Sequence, residues 1–482
     1  MINGIIGRKK EQKILQSAFD SNKAEFIAIY GRRRIGKTYL VKSFFEKKGC
    51  TFLYVSGMKD GTLKQQLKNF AHAIESVLIP GYATPSSWMD AFNKFTILTE
   101  KIPSKKKIVI FLDELPWLVT KRSKFLQALD YYWNRYWSHD KRIKLIICGS
   151  AASWIINNIV RNKGGLYNRL TYQMRLDPFS LKEAKEFLMA GHIRLNNHQI
   201  IEIYMVTGGV PYYLTQIQKG LSAAQNIEEL AFTKHGVLYQ DFDILFDSLF
   251  DEGEVYSNIV KTISKYRYGI QQEELFSQCK EISKGGSGVQ KLRDLEEAGF
   301  IISYVPYQHK RKGKYYRLID EYANFYLKWI APSKTSLQKL NKISWMQLRE
   351  TPSWKSWSGY AFETICLKHI DQIRKSLNID THSSVATWRH MGQKDEKGAQ
   401  IDLLFDRADN AITICEIKYT DNKFNIDKEC FYKLKNKIEV YKNITKTKKQ
   451  IFLVFITSFG LKHNIYSEEY VSNVLTLDDL FS

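Results

Sequence analysis

Five short apolar runs mark the first 180 residues: AEFIAIY (24–30), TFLYVSG (51–57), KKIVIFLDELPWL (106–118), KLIICGS (144–150) and YQMRLDPF (172–179). Polar and helically spaced segments separate them. Short buried runs alternating with helices predict a mostly parallel sheet covered on its faces, an α/β unit over residues 1–180. From LKEAKEFL onward the spacing is helical through about residue 235, which predicts a helical unit over 181–240. DFDILFDSLFDEGE (241–254) is acidic and aromatic, reads as a connector or docking helix, and marks a boundary. Next come YGIQQEELFSQC, GGSGVQKLRDLEEAGFI and ISYVPYQHKRKGKYYRLI. They predict helix, turn, helix and two strands joined by a basic turn over 255–330, the order of a winged helix, with Ser287 as N-cap and Val289, Leu292 and Leu295 as its buried stripe. Over 345–482, QIDLLF (400–405) and AITICEIKY (411–419) flank the turn-rich RADN and predict a β-hairpin.

Composition narrows the picture. A chain of 482 residues with 44% hydrophobic content can bury more than one core and suggests about three domains. The net charge of +22 is uneven: residues 1–200 carry +19, 201–300 carry −6, 301–340 carry +6 and 341–482 carry +3. The positive field of the first domain favours a polyanionic partner. The cysteines Cys50, Cys148, Cys279, Cys366, Cys415 and Cys430 form no C-x-x-C pair, so neither a zinc knuckle nor a disulfide framework is legible and a reducing cytoplasm fits best. MINGIIGRKKEQ lacks the apolar core of a secretory signal. LIICGSAASWIINNIV (145–160) is too short and too polar to span a bilayer, and with no long amphipathic basic helix a membrane partner is not expected.

The first candidate chemistry is GRRRIGKT (31–38), which fits G-x-x-x-x-G-K-[ST] between an apolar strand and the helical YLVKSFFEKK. In this pattern glycines let backbone N–H groups close on phosphate, the lysine adds a point charge and the hydroxyl holds Mg²⁺. Gly31, Gly36, Lys37 and Thr38 are therefore placed at a nucleotide, with Ile35 and Tyr39 as loop neighbours. Arg32, Arg33 and Arg34 either add charge there or face solvent. Asp113 and Glu114 end a strongly apolar run, where one acid binds Mg²⁺ and its neighbour orients a hydrolytic water.

IGRKKE (6–11), the phosphate loop, LDE (112–114), CGS (148–150) and GGVP (208–211) occur in the order seen in archaeal-type ATPases, and the chain resembles the AAA+ and signal-transducing NTPase groups. The resemblance implies ATP and Mg²⁺ as cofactors, Gly7 and Arg8 near the base, Ser150 as a sensor beside the γ-phosphate, and a helical lid whose Pro211 motif closes over the nucleotide. It also offers Arg161 or Arg169 as an arginine finger, which acts in trans in a homo-oligomer.

The second candidate is ICEIKY (414–419). Ile414, Glu416 and Lys418 alternate onto one face of a strand. Pairing Asp402 opposite Glu416 requires a five-residue loop, 407–411, or a four-residue loop with a bulge. Their Cβ atoms would then lie about 5 Å apart, an arrangement two carboxylates resist unless a cation sits between them. Asp402 and Glu416 could bind Mg²⁺ while Lys418 activates water or stabilises charge on phosphorus. This looks like the D…E-x-K core of restriction-endonuclease-like nucleases, in which a preceding helix often adds an acid, here Glu363. Tyr432, Lys433 and Lys435 follow on a basic helix. Gln400 and Ile401 stand where such nucleases often have proline. Many archaeal-type ATPases carry such a C-terminal domain of unknown function. In the winged helix, Gln290, Lys291 and Arg293 are offered to a major groove and His309, Lys310, Arg311 and Lys312 to phosphate. The expectation is an α/β protein: a P-loop ATPase core with parallel sheet and helical lid, a winged-helix domain, and a restriction-endonuclease-like domain processing DNA. The alternative is a signalling ATPase whose C-terminal fold is an inactive binding module.

Overall fold

The computed structural model describes residues 4–150, 152–160, 166, 168–305, 307, 313–338, 344–390, 392 and 398–482. The first apolar runs form β1 (Glu25–Tyr30), β2 (Thr51–Ser56), β3 (Ile108–Asp113), β4 (Ile143–Gly149) and β5 (Tyr172–Arg175) in the order β2-β3-β4-β1-β5, parallel throughout. β3 and β4 are buried along their whole lengths, which is why they read as continuous apolar runs rather than alternating ones. One sheet face packs on Leu15, Leu40, Val41 and Phe45, the other on an aromatic layer that includes Phe70, Trp88, Phe92 and Trp137.

Helices Leu181–Ala190, Asn197–Thr207, Pro211–Leu214 and Ala223–Ala231 follow, with capping boxes at Ser180 and Ser222 fixing two of their starts. The acidic-aromatic segment forms helix Val237–Leu249, with Phe242, Leu245, Phe246 and even Asp241 buried. It is a core element, not a surface connector. Next come helix Gly253–Ser264, β6 (Ile270–Gln271), helices Gln272–Gln278 and Gly286–Glu297, β7 (Ile301–Tyr304) and β8 (Tyr315–Leu318). The strands make a small antiparallel sheet ordered β6-β8-β7. Gly285, not Ser287, caps helix Gly286–Glu297. Ser287 lies inside the first turn because a glycine pair lets the helix begin earlier than the hydroxyl suggests. Leu292 and Leu295 are buried and Val289 packs at the margin.

The C-terminal sheet is ordered β13-β12-β11-β10-β9, from β9 (Ser384–His390), β10 (Ala399–Asp406), β11 (Ala411–Lys418), β12 (Gln450–Thr457) and β13 (Asn473–Leu475). β9, β10 and β11 run antiparallel, and β11, β12 and β13 parallel. Helix Pro352–Lys368 covers one face through Phe362, Ile365 and Cys366, and helix Lys428–Thr445 covers the other through Leu434 and Tyr441. One continuous apolar core runs from Phe179 through the helices of 181–231 and the small sheet to Phe481, so these units are packed against each other rather than strung on linkers. No described helix is long and apolar enough to cross a membrane.

Candidate functional sites

At the end of β1 the chain turns through Gly31 at φ +146°, where a Cβ would lie 2.2 Å from the Leu176 carbonyl oxygen, and Gly36 at φ +86° leads into helix Lys37–Phe45. Both positions exclude a side chain, the first by contact and both by conformation. Lys37 Nζ donates to the Gly31 and Arg32 carbonyls at 2.9 and 2.8 Å, and burial pushes its ammonium below the ordinary range. Incoming phosphate would replace those carbonyls as its partner. Thr38 Oγ1 donates to Asp113 Oδ2 at 2.6 Å. A hydroxyl and a carboxylate, both hard oxygen ligands, at the tip of helix and strand fit Mg²⁺. Glu114 stands in the left-handed region at φ +45°, and its Oε2 accepts from the Ser150 amide and hydroxyl at 3.2 and 3.0 Å. The acid proposed to orient water and the residue proposed to sense phosphate thus share a hydrogen bond.

Gly7 and Arg8 line a cavity of about 650 Å³ together with Gly31, Arg32, Leu176 and Tyr204. The Arg8 amide donates to Glu183 at 2.8 Å, its guanidinium to the Ile35 carbonyl at 3.2 Å, and it lies 4.7 Å from the Phe179 ring centroid. Pro211 starts the short helix Pro211–Leu214, and the Tyr212 amide donates to the Arg34 carbonyl at 3.3 Å, joining that helix to the loop.

The loop arginines depart from the sequence reading. Arg32 is buried and ion-paired with Asp320 at the end of the small sheet, 5.0 Å from the Phe300 ring centroid. Arg34 pairs with Asp241 and stacks 4.4 Å over Tyr212. Neither meets solvent as a free charge, because acids more than two hundred residues downstream neutralise them. Arg33 is half-buried. Tyr39 is 51% exposed with its hydroxyl on the Gly4 carbonyl at 3.0 Å. Arg169 is exposed on a turn, its amide bonded to the Leu166 carbonyl, and Arg161 lies outside the described residues.

In the C-terminal sheet the β10–β11 ladder pairs Leu403 with Cys415 through Asp406 with Ile412, so Asp402 comes next opposite Glu416. The Arg407 amide donates to the Ala411 carbonyl, closing the five-residue loop. The β9–β10 register shifts between Ile401 and Leu404, bracketing Asp402, and such irregularities re-aim a side chain. Asp402 Oδ2 accepts the Ile417 amide at 3.3 Å. Burial and the nearby Glu416 push its pKa up.

The opposed carboxylates do not leave Glu416 unneutralised. Its two oxygens take Lys418 Nζ at 2.7 Å and Lys437 Nζ at 2.5 Å. Burial pushes Glu416 up, but these lysines outweigh it and hold the group below its ordinary value. Cationic side chains thus relieve part of the repulsion that a metal alone was expected to relieve. Glu363 points to the same cavity of about 380 Å³, paired with Arg267 Nη2 at 2.8 Å, and burial together with Asp402 raises its pKa to about 7. Among the described residues no group of three or more His, Cys, Asp or Glu side chains is arranged to hold a metal ion. Mg²⁺ commonly takes one or two carboxylates plus water and phosphate, so Asp402 and Glu416 remain a chemically suitable pair. Lys433 pairs with Glu429 at 2.5 Å, and Tyr432 and Lys435 are exposed.

Lys437 and Arg267 went unread in the sequence. The former lies one helical turn beyond Lys433, a spacing that could have revealed it; the latter comes from another part of the chain and left no local signal. On helix Gly286–Glu297, Lys291 pairs with Glu252, Gln290 donates to Asp294 at 2.8 Å, and Arg293 is exposed. His309, Lys310, Arg311 and Lys312 lie outside the described residues.

A phosphate loop, an acid-ended strand and a parallel sheet followed by helices define the first half as a P-loop ATPase domain. More particularly, residues 5–217 match the family described as an ATPase domain predominantly from Archaea, and residues 326–430 match one described as archaeal and bacterial proteins of unknown function. The chain carries an archaeal-type ATPase domain and that second family's domain. It is 26% identical over 425 residues to the uncharacterized protein MJECL04 of Methanocaldococcus jannaschii, covering 87% of this chain and 88% of that one. It is 49% identical over 43 residues to the uncharacterized ATP-binding protein MJ0423 of the same organism, which spans 9% of this chain and 73% of that one. Among solved structures it is similar to the Walker-type ATPase of Pyrococcus abyssi, with a TM-score of 0.46 and 16% identity over 67% of this chain and 96% of that one. The Aeropyrum pernix ORC2 protein gives a TM-score of 0.44 and 14% identity over 70% and 96%.

Proposed function

We propose that the chain is an ATP-dependent DNA-processing protein in which nucleotide binding at the phosphate loop governs a Mg²⁺-dependent nuclease-like site in the C-terminal sheet. The observation that carries this reading is the register putting Asp402 opposite Glu416, with Lys418 on the same face of the strand and Glu363 lining the same cavity. Bound Mg²⁺ at that pair supplies electrophilic stabilisation of a phosphodiester and a more acidic water. The chain's own groups do the rest: Lys418 donates toward charge growing on the phosphate oxygens, Asp402 keeps its place through the Ile417 amide, and Lys437 offsets the charge of Glu416. At the ATPase site Thr38 and Asp113 hold the nucleotide's Mg²⁺, Glu114 orients water and Ser150 reports on phosphate. The excess of +19 in the first two hundred residues supports DNA as partner through salt-sensitive, sequence-independent contacts. The helix, strand and hairpin order around β6–β8 supports a winged helix, and exposed Arg169 would serve as a finger from a second copy. We take a cytoplasmic setting from the unpaired cysteines.

The test is plasmid cleavage in Mg²⁺ against EDTA beside ATP hydrolysis. Asp402→Ala is expected to abolish cleavage and keep hydrolysis, whereas Lys37→Ala removes hydrolysis. Retained cleavage in Asp402→Ala rejects the site. The double lysine clamp on Glu416 favours one rival, a regulator whose C-terminal fold only binds DNA. Binding without nicks by the unsubstituted protein would select it.

A further inference from the structure

The C-terminal cavity is not completed by the C-terminal sheet and its helices. Arg267 lies in the loop between helix Gly253–Ser264 and β6, 96 residues before Glu363, and reaches across to it. Its guanidinium sits 5.2 Å from the Tyr268 ring centroid and 5.3 Å from that of Tyr360, which shares a helix with Glu363. Two aromatic rings therefore hold it in place, a geometry suited to the planar group. A guanidinium offers five N–H donors. Among the described residues its hydrogen bond goes to Glu363, and Nε, although buried, has no partner.

The cavity's charges set the chemistry of what enters. Arg267, Lys418, Lys433 and Lys437 line it with Glu363, Asp402 and Glu416, and Lys433 also pairs with Glu429, so cations match the acids one for one even before any metal arrives. A phosphodiester fits such a cavity, and a forked donor at its rim is the group best shaped to take two phosphate oxygens.

We propose that Arg267 is a DNA-phosphate ligand supplied to the C-terminal site from the preceding unit. In the DNA-free protein it is parked on Glu363, and where a DNA phosphate competes with that carboxylate the guanidinium turns to a non-bridging phosphate oxygen. No covalent bond is made or broken in this exchange. The assignment rests on the DNA-processing reading but not on cleavage itself.

The experiment is fluorescence anisotropy of a short labelled duplex with the full chain in EDTA, using Glu363→Gln, Arg267→Gln and the double variant. Parking predicts that Arg267→Gln alone changes affinity less than about twofold, Glu363→Gln tightens it about tenfold, and the double variant loses that gain. If Arg267 were an ordinary surface cation, Arg267→Gln would weaken binding equally in both backgrounds, and that result overturns the proposal. Melting curves check folding. Should Arg267→Gln unfold, Glu363→Gln/Arg267→Lys replaces it and must keep only part of the gain, since an ammonium lacks the fork. Full retention also overturns the proposal. Absence of nicking in Mg²⁺ with the coupling intact removes the nuclease reading and leaves Arg267 as a phosphate ligand. A chain that binds no duplex at all removes both.

Discussion

The ion pair between Arg32 and Asp320 ties the phosphate loop to the end of β8, and its disruption should be costly for reasons that can be worked through. Both side chains are almost wholly buried, at 4% and 3% exposure, so water does little to screen them. Removing one partner leaves an uncompensated buried charge, about 3–5 kcal/mol. Asp320 also caps a helix. Its Oδ1 accepts the Ala323 amide at 2.7 Å at the N-terminus of helix Glu321–Phe325, a contact worth about 1 kcal/mol. Asp320→Ala should therefore cost about 4–6 kcal/mol, and Asp320→Asn, which keeps the cap, about 3–5 kcal/mol. Arg32 Nε and Nη2 lack partners among the described residues, so the pair does not satisfy all of its own polar atoms. Replacing both members by apolar groups leaves neither charge unpaired, so Arg32→Leu with Asp320→Leu should cost about 3 kcal/mol less than the sum of the two single replacements. Urea unfolding followed by tryptophan fluorescence measures each variant. A loss below about 1 kcal/mol for Asp320→Ala, or single costs that simply add in the double variant, would refute the reasoning.

Two further expectations follow from the site geometry. Glu114→Gln keeps the hydrogen-bond shape toward Ser150 but removes the carboxylate charge, so ATP should still bind while hydrolysis falls about 10²- to 10⁴-fold, and unchanged turnover would remove Glu114 from the chemistry. His369 is buried between two helices, Nε2 accepting the Leu181 amide at 3.1 Å and Nδ1 donating to the Ile365 carbonyl at 2.8 Å. Burial, with Lys368 beside it, depresses its pKa from 6.5 to about 4. A depressed folded pKa means that the stabilisation is present above pH 6.5 and lost as pH falls toward 4, about 3 kcal/mol in all. Urea midpoints at stepped pH should show this loss in the natural chain and not in His369→Gln; parallel curves would contradict it.

What was legible in the sequence was whatever the chain writes locally. The phosphate loop declares itself because its glycines, lysine and threonine are neighbours, and β3 declares its acids because burial on both faces makes the run before them uniformly apolar. The pairing of Asp402 with Glu416 could be reached because a hairpin loop fixes register by counting. Partners from afar were not legible. Arg32 and Arg34 read as phosphate-loop charge, yet Asp320 and Asp241 claim them, and no periodicity in either segment announces the other. Glu416 read as an acid in need of a metal because Lys437 was invisible until the basic helix lay across the strand. Lys291, offered to DNA by its helix position, pairs with Glu252 from the preceding helix boundary, another contact that no local pattern announces. The illegible contacts share a consequence. Asp320 and Glu321 are adjacent; the first holds Arg32 of the phosphate loop, and the second holds Lys368 at 2.6 Å, on the helix that also presents Glu363. Arg32, Asp320, Glu321 and Lys368, the first three of them buried, thus link the phosphate loop by two ion pairs and one peptide bond to the helix that presents Glu363.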